Sequence, residues 1–196
     1  IKDEKGMTFI HPFNDPDVIA GQGTIGLEII NQLPDVDVVV VPIGGGGLIG
    51  GVAYTIKQLK PDCKVYGVQA AGAPSMEHSI ADDKIETLDS VNTIADGIAV
   101  KTPGTLTYDL CKKYVDGIVT VTDDEIAFAI LTLLEQQKLI SEGAGAVPVA
   151  AVMNGKIPNI EGKNVCCVVS GGNIDVTILS RVIERGLKMG GRTANI

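Results

Sequence analysis

Main-chain amides are the first candidates for chemistry in this sequence. Four consecutive glycines, Gly44–Gly47, follow the apolar run "VVVVPI" and precede "LIGGVAYTIKQL", so they sit where a buried strand gives way to a helix. Without Cβ atoms the backbone there can approach an anion closely, and the loop amides join the unsatisfied amides of the helix's first turn. Such a turn cradles phosphate. A tight connection that binds nothing is the alternative, but one or two glycines suffice for it, and the run of four favours a ligand. A second glycine turn, in "VCCVVSGGNID", again follows an apolar strand-like run and precedes a helix, with Ser170 at the strand's carboxyl end. A hydroxyl there is a polar handle at the end of the sheet where ligands bind; equally, it could cap the helix that follows.

The phosphate could belong to several ligands. Gly45–Gly50 formally matches G-x-G-x-x-G, which makes an NAD(P)-binding Rossmann-type dehydrogenase domain the first rival. That fingerprint calls for an Asp or Glu about 20 residues on, to hold the ribose hydroxyls. The corresponding stretch, "VQAAGA" from Val68 to Ala73, has no carboxylate. A nucleotide-hydrolysing P-loop needs Gly-Lys-Ser/Thr after its glycines, whereas Gly47 is followed by Leu48 and Ile49.

The elements that must position these loops follow from periodicity. Short β-branched runs at Val36–Val41, Lys64–Gln69, Gly117–Val121 and Val165–Val169 alternate with helical patterns, which predicts an α/β fold: a parallel sheet with helices on both faces. Ile25, Ile29, Ile30 and Leu33 form one helical stripe; Leu48, Val52, Ile56 and Leu59 form another. "TDDE" from Thr122 is a capping box, in which Glu125 returns a hydrogen bond to the cap, and the helix continues through Ile126, Ile130, Leu133 and Leu134. A last helix follows Asn173 and carries Ile174, Ile178 and Val182. Ala70–Ser75 reads as linker.

Composition bounds the partners. The 196 residues are 45% hydrophobic and 20% charged, enough for one globular domain with a true core. The net charge of -8 and the absence of a basic stripe argue against nucleic acid or an anionic membrane. Cys63, Cys111, Cys166 and Cys167 lack C-x-x-C spacing and read as reduced core thiols of a cytoplasmic protein. No apolar stretch approaches the roughly 20 residues of a membrane span. The chain lacks an initiator Met and a signal peptide, and reads as a piece of something longer.

Together "PIGGGGLIGG", "TIADGIAV" (Thr93–Val100) and "VVSGGNID" resemble the fold type II pyridoxal-phosphate enzymes, in the threonine/serine dehydratase and serine racemase branch. "FIHPFNDPDVIAGQGTIGLEI" and "LISEGAGAVPVAAV" extend the resemblance through nearly the whole chain. It implies most of the large domain of a tryptophan-synthase-β-like enzyme, with pyridoxal 5'-phosphate as cofactor. Gly44, Gly45, Gly46, Gly47 and the amide of Leu48 would hold its phosphate, Ser170 would face the pyridine nitrogen, and Gly97 would lie beside the ring. Glu142 matches a glutamate close to the cofactor, although a carboxylate before "GAGAVPVAAV" would also stabilise a helix N-terminus.

The resemblance also implies what to look for in vain. The family's Schiff-base lysine lies in a Ser-x-Lys-x-Arg-type motif that does not occur here; Lys57, Lys101 and Lys138 lie in other contexts, so no catalytic residue is assigned. Residues 1–196 are thus expected to be a partial catalytic domain without the lysine-bearing segment, the small domain or any carboxyl-terminal regulatory domain, and inactive alone. Some family members hold a divalent metal at positions matching Gln69, Ala73 and Ser75; with no carboxylate there, no Mg²⁺ or Ca²⁺ is expected, and His11 and His78 do not suggest a transition metal. The implied function is dehydration and deamination of L-threonine and L-serine to 2-oxobutyrate or pyruvate and ammonia, as in isoleucine biosynthesis or catabolism, with serine racemase as the alternative. The parent is expected to be a cytoplasmic homo-oligomer.

Overall fold

A computed structural model describes residues 2–192. The elements run α1 (Lys2–Lys5), α2 (Pro16–Gln32), β1 (Val38–Pro42), α3 (Gly47–Leu59), β2 (Lys64–Ala70), α4 (Ser75–Ala81), α5 (Thr105–Tyr114), β3 (Gly117–Val121), α6 (Asp123–Thr132), α7 (Gly143–Met153), β4 (Val165–Cys167) and α8 (Val176–Met189). A single 3-10 turn covers Asp96–Ile98, and a π-helical turn, Leu133–Gln137, follows α6.

The four strands form a parallel sheet in the order β3-β2-β1-β4. β1 is central and wholly buried, pairing Val39 with Val65 on one side and with Cys166 on the other. Its alternating side chains feed two separate cores, as the two-residue period of a strand requires. Val39 and Val41 pack with Ile29, Ile49, Val52 and Ile56 of α2 and α3, together with Tyr108 and Cys111 of α5. Val38 and Val40 pack with Ile126 and Ile130 of α6, Val147 of α7 and Val182 of α8. Helices therefore cover both faces, and this is why β1 reads as an unbroken apolar run.

Local chemistry sets the helix starts. Asp15 caps α2 by accepting from the amides of Asp17 and Val18, with Pro16 in the first turn. Thr122 and Glu125 make the expected capping box at α6, where the Thr122 amide donates to Glu125 Oε2 at 2.7 Å. α6 ends as an α-helix at Thr132, and Leu133 and Leu134 fall in the π turn that stops at Lys138, whose φ is 57°. α8 starts at Val176 under an Asp175 cap, so Ile174 lies outside it. Three helices are absent from the sequence reading: the single turn of α1, α5, and α4, which begins at Ser75 at the end of the linker-like stretch.

Candidate functional site

The glycine loop leaves β1 through Ile43, whose amide donates to Val68 O at 2.8 Å, and enters α3 at Gly47. The cap of α3 is Gly46, with φ 96° and no side-chain hydrogen bond to close the helix end. Gly50 N bonds back to Gly46 O at 2.9 Å, but among the described residues the amides of Gly44 through Ile49 have no acceptor. A helix N-terminus left open in this way carries the donors and the dipole that favour an anion.

Each glycine has a protein neighbour as well. A Cβ on Gly44 would lie 3.1 Å from Ile98 Cα, and one on Gly45 would strike the ring of Phe13. On Gly46 it would meet Met76 Cε at 2.7 Å and Thr107 Cβ at 2.8 Å; on Gly47, Phe13 Cα at 2.9 Å. Close packing thus accounts for the run of four, and the open amides, not the glycine count, are what point to a ligand.

The loop is one wall of a cavity of about 270 Å³. Gly44, Gly45, Gly46, Gly47, Leu48, Gly97, Glu142 and Ser170 all line it, joined by Phe13 and Ala144. The eight residues that the resemblance assigns to one ligand therefore reach one space, from four separate stretches of chain. Ser170 stands three residues past β4, is exposed, and does not cap α8, since Asp175 does. Glu142 N-caps α7 in position only: its side chain makes no cap bond. Its carboxylate is packed against the Gly171 turn instead, where a Cβ on Gly171 would come 3.0 Å from Cδ, and a Cβ on Gly97 would be 3.7 Å from Oε1. The Glu142 amide donates to Gly171 O at 3.1 Å, so the "SEG" and "SGG" turns are tied together.

The 3-10 turn that carries Gly97 is anchored from α6. Asp123 Oδ1 accepts from Thr93 Oγ1 at 2.6 Å and from the Ile94 amide at 3.2 Å, and Arg185 of α8 backs Asp123 at 3.8 Å. The amino-terminal block is fixed likewise: His11 Nδ1 accepts from the Asn14 amide at 2.9 Å, and Asn14 Oδ1 accepts from the Leu106 amide at 2.9 Å at the start of α5. Phe13, Asn14, Thr107 and Asp123 were not evident in the sequence as supports of the site. Only Asp123 had a local signal, its place in the capping box.

Charge in the cavity is sparse. Glu142 is the charged residue of its lining, and no lysine or arginine lines it among the described residues. Lys57 is held by Asp116 and Cys63 O, each at 2.7 Å; Lys101 donates to Asp89 O at 2.8 Å and Lys138 to Glu135 O at 2.6 Å. Gln69, Ala73 and Ser75 are fully buried; the Gln69 side chain accepts from the Glu77 amide at 2.9 Å, and Ser75 Oγ has no partner. Among the described residues no three His, Cys, Asp or Glu side chains gather as metal ligands. A larger groove of about 500 Å³ between α2, α3 and α5, lined by Ile19, Tyr54, Leu106 and Leu110, is mostly apolar, with Thr55 and Asp109 among its lining residues.

Known proteins share this fold. The chain is 58% identical over 192 residues to an L-threonine ammonia-lyase of Thermotoga maritima, which covers 98% of the chain but 47% of that relative. Its fold matches the processed threonine deaminase isoform 2 of Solanum lycopersicum with a TM-score of 0.87 at 41% identity, over 94% of this chain and 51% of that one. Maize serine racemase matches with a TM-score of 0.87 at 36% identity, over 94% and 58%. The chain thus spans about half the length of the relatives it matches. A family model described as "Pyridoxal-phosphate dependent enzyme" matches residues 1–171, and the chain belongs to that family of pyridoxal-phosphate-dependent enzymes.

Proposed function

We propose that the protein to which this chain belongs is an L-threonine (L-serine) ammonia-lyase that binds pyridoxal phosphate in the cavity beneath the glycine loop. The observation that carries the reading is the convergence of the loop, Gly97, Glu142 and Ser170 on that one cavity, with the loop's amides lacking acceptors. The residues present fit the cofactor. The open amides of Gly44–Ile49 suit a phosphate dianion, and they make up for the absence of basic side chains in the lining.

When bound, pyridoxal phosphate supplies an electron sink for negative charge on the α-carbon of an amino acid. The loop amides would hold the phosphate and so fix the ring between Gly97 and Ser170. Gly97 offers backbone without a Cβ, which lets a flat ring lie close. Ser170 would offer a hydroxyl to the ring nitrogen and, unlike a carboxylate, would hold no proton there, so the ring would withdraw electrons less strongly, which suits loss of a β-hydroxyl better than chemistry that needs a stronger sink. Glu142 presents a carboxylate between Gly97 and the Gly171 turn, unspent on the α7 amides and open to a donor on the ligand. The covalent lysine would come from a segment outside this chain, so residues 1–196 alone are proposed to be inactive.

The substrate is proposed to be threonine or serine, and the parent a cytoplasmic homo-oligomer. The four free cysteines fit a reducing compartment. Racemisation of serine is the second reading, favoured by the equal structural likeness to maize serine racemase. Purified full-length protein given L-threonine should release 2-oxobutyrate and ammonia; inversion of serine without 2-oxobutyrate formation would replace the lyase reading with the racemase one. Turnover of threonine by the 196-residue chain alone would show that the lysine is not needed from elsewhere.

A further inference from the structure

α5 touches the glycine loop through the Thr107 hydroxyl and through the amide of its cap residue, Gly104. Thr107 is fully buried, with Oγ1 2.5 Å from Gly45 O and 3.1 Å from Gly104 O. A hydroxyl has a single proton, so it donates to the nearer carbonyl, that of Gly45. The Gly104 amide adds a longer bond, 3.3 Å, to the same oxygen.

The Gly45–Gly46 peptide is trans, as are all the described peptide bonds, so its carbonyl and its amide point in opposite directions. Pulling the Gly45 carbonyl into the start of α5 therefore turns the Gly46 amide away from α5. That amide has no acceptor among the described residues. The anchor is itself braced, because Asn14 accepts from the Leu106 amide at 2.9 Å and donates to Thr105 Oγ1 at 3.2 Å. Gly46, meanwhile, has the left-handed φ of 96°, a conformation that a four-glycine segment would leave readily without such a hold.

We infer that Thr107 is a positioning residue for the cofactor's phosphate: its hydroxyl orients the Gly45–Gly46 peptide so that the Gly46 amide is preset for the phosphate oxygens. This rests on the cofactor reading above. It predicts an effect confined to ligands that carry the phosphate, whereas a hydroxyl that merely satisfies the core would affect all ligands alike.

The experiment uses the full-length protein freed of cofactor and measures dissociation constants, by absorbance titration, for pyridoxal phosphate and for pyridoxal. Thr107→Val should weaken pyridoxal phosphate binding about five- to tenfold, the worth of one net hydrogen bond, and leave pyridoxal binding unchanged. Thr107→Ser, which keeps the donor, should restore the wild-type ratio. Should the Val variant fail to fold, Thr107→Ala carries the same expectation without adding an apolar methyl. Equal weakening of both ligands, or of neither, in a wild type that does prefer the phosphate ester would overturn the role of Thr107. A wild type that binds both ligands equally would overturn the phosphate cradle itself, and this inference with it.

Discussion

Gly46→Ala tests the loop's geometry apart from any ligand. At φ 96° an L-residue pays the left-handed backbone cost of about 1–2 kcal/mol. The new Cβ also meets Met76 Cε at 2.7 Å and Thr107 Cβ at 2.8 Å. Met76 can swing its methyl aside, but Thr107 is pinned through its bond to Gly45 O, so overpacking adds roughly 1–3 kcal/mol. The sum is about 2–5 kcal/mol, and a domain of this size loses about 2–4 °C of melting temperature per kcal/mol, so a fall of roughly 4–20 °C is expected. The measurement is a thermal melt of cofactor-free protein, which removes stabilisation by bound ligand from the comparison. Gly21→Ala in α2 is the control: it is exposed, its Cβ would meet nothing within 4 Å, and the change should gain about 0.5–1 kcal/mol. A Gly46→Ala protein that melts within 1 °C of wild type would refute both the strain and the contact argument.

Three further outcomes are expected. Ser75→Ala removes a buried hydroxyl that has no partner, so it should leave stability unchanged or raise it by about 1 kcal/mol in urea unfolding; a clear loss would mean the hydroxyl is bonded after all. Burial works against the Asp116 carboxylate, yet hydrogen bonds from Lys57, the Val65 amide and Lys64 outweigh it and hold its pKa below the ordinary carboxylate value. A depressed folded-state pKa gives stability that is present above the unfolded value and is lost as pH falls through the folded one, so the wild type should lose stability below about pH 4, and Asp116→Asn should flatten that decline. Burial pushes the Cys111 thiol up to about 12, so iodoacetamide at pH 8 should leave it unmodified in the native protein; labelling of Cys111 ahead of Cys166 would contradict its placement in the core.

The parts of the fold legible in the sequence are those written in local pattern. β1 shows as a β-branched run because both of its faces are buried, and the Thr122 cap of α6 shows because its partners lie three residues apart. α5 is not legible: "TLTYDLCKKY" mixes polar residues through its apolar stripe, because only Thr107, Tyr108 and Cys111 are buried. Missing α5 meant missing Thr107, whose partner Gly45 lies 62 residues away. Ser170 fared differently. The sequence left it between a helix cap and a ligand handle, and only the structure, by capping α8 with Asp175, frees the hydroxyl from the first role.

The glycines carry the more general point. Read as sequence, four in a row argue for a ligand because a turn needs fewer; in the fold, Ile98 crowds Gly44, Phe13 crowds Gly45 and Gly47, and Met76 and Thr107 crowd Gly46. Glycine count therefore measures closeness of approach without saying what approaches. What singles out a ligand is the donor side of the same peptides, since buried amides are almost always paired and a run from Gly44 to Ile49 without acceptors is expensive unless something supplies them. The two roles separate by experiment. Packing predicts that Gly45→Ala, driven against Phe13, destabilises the cofactor-free protein, whereas phosphate binding predicts that the same protein is stabilised by pyridoxal phosphate more than by pyridoxal.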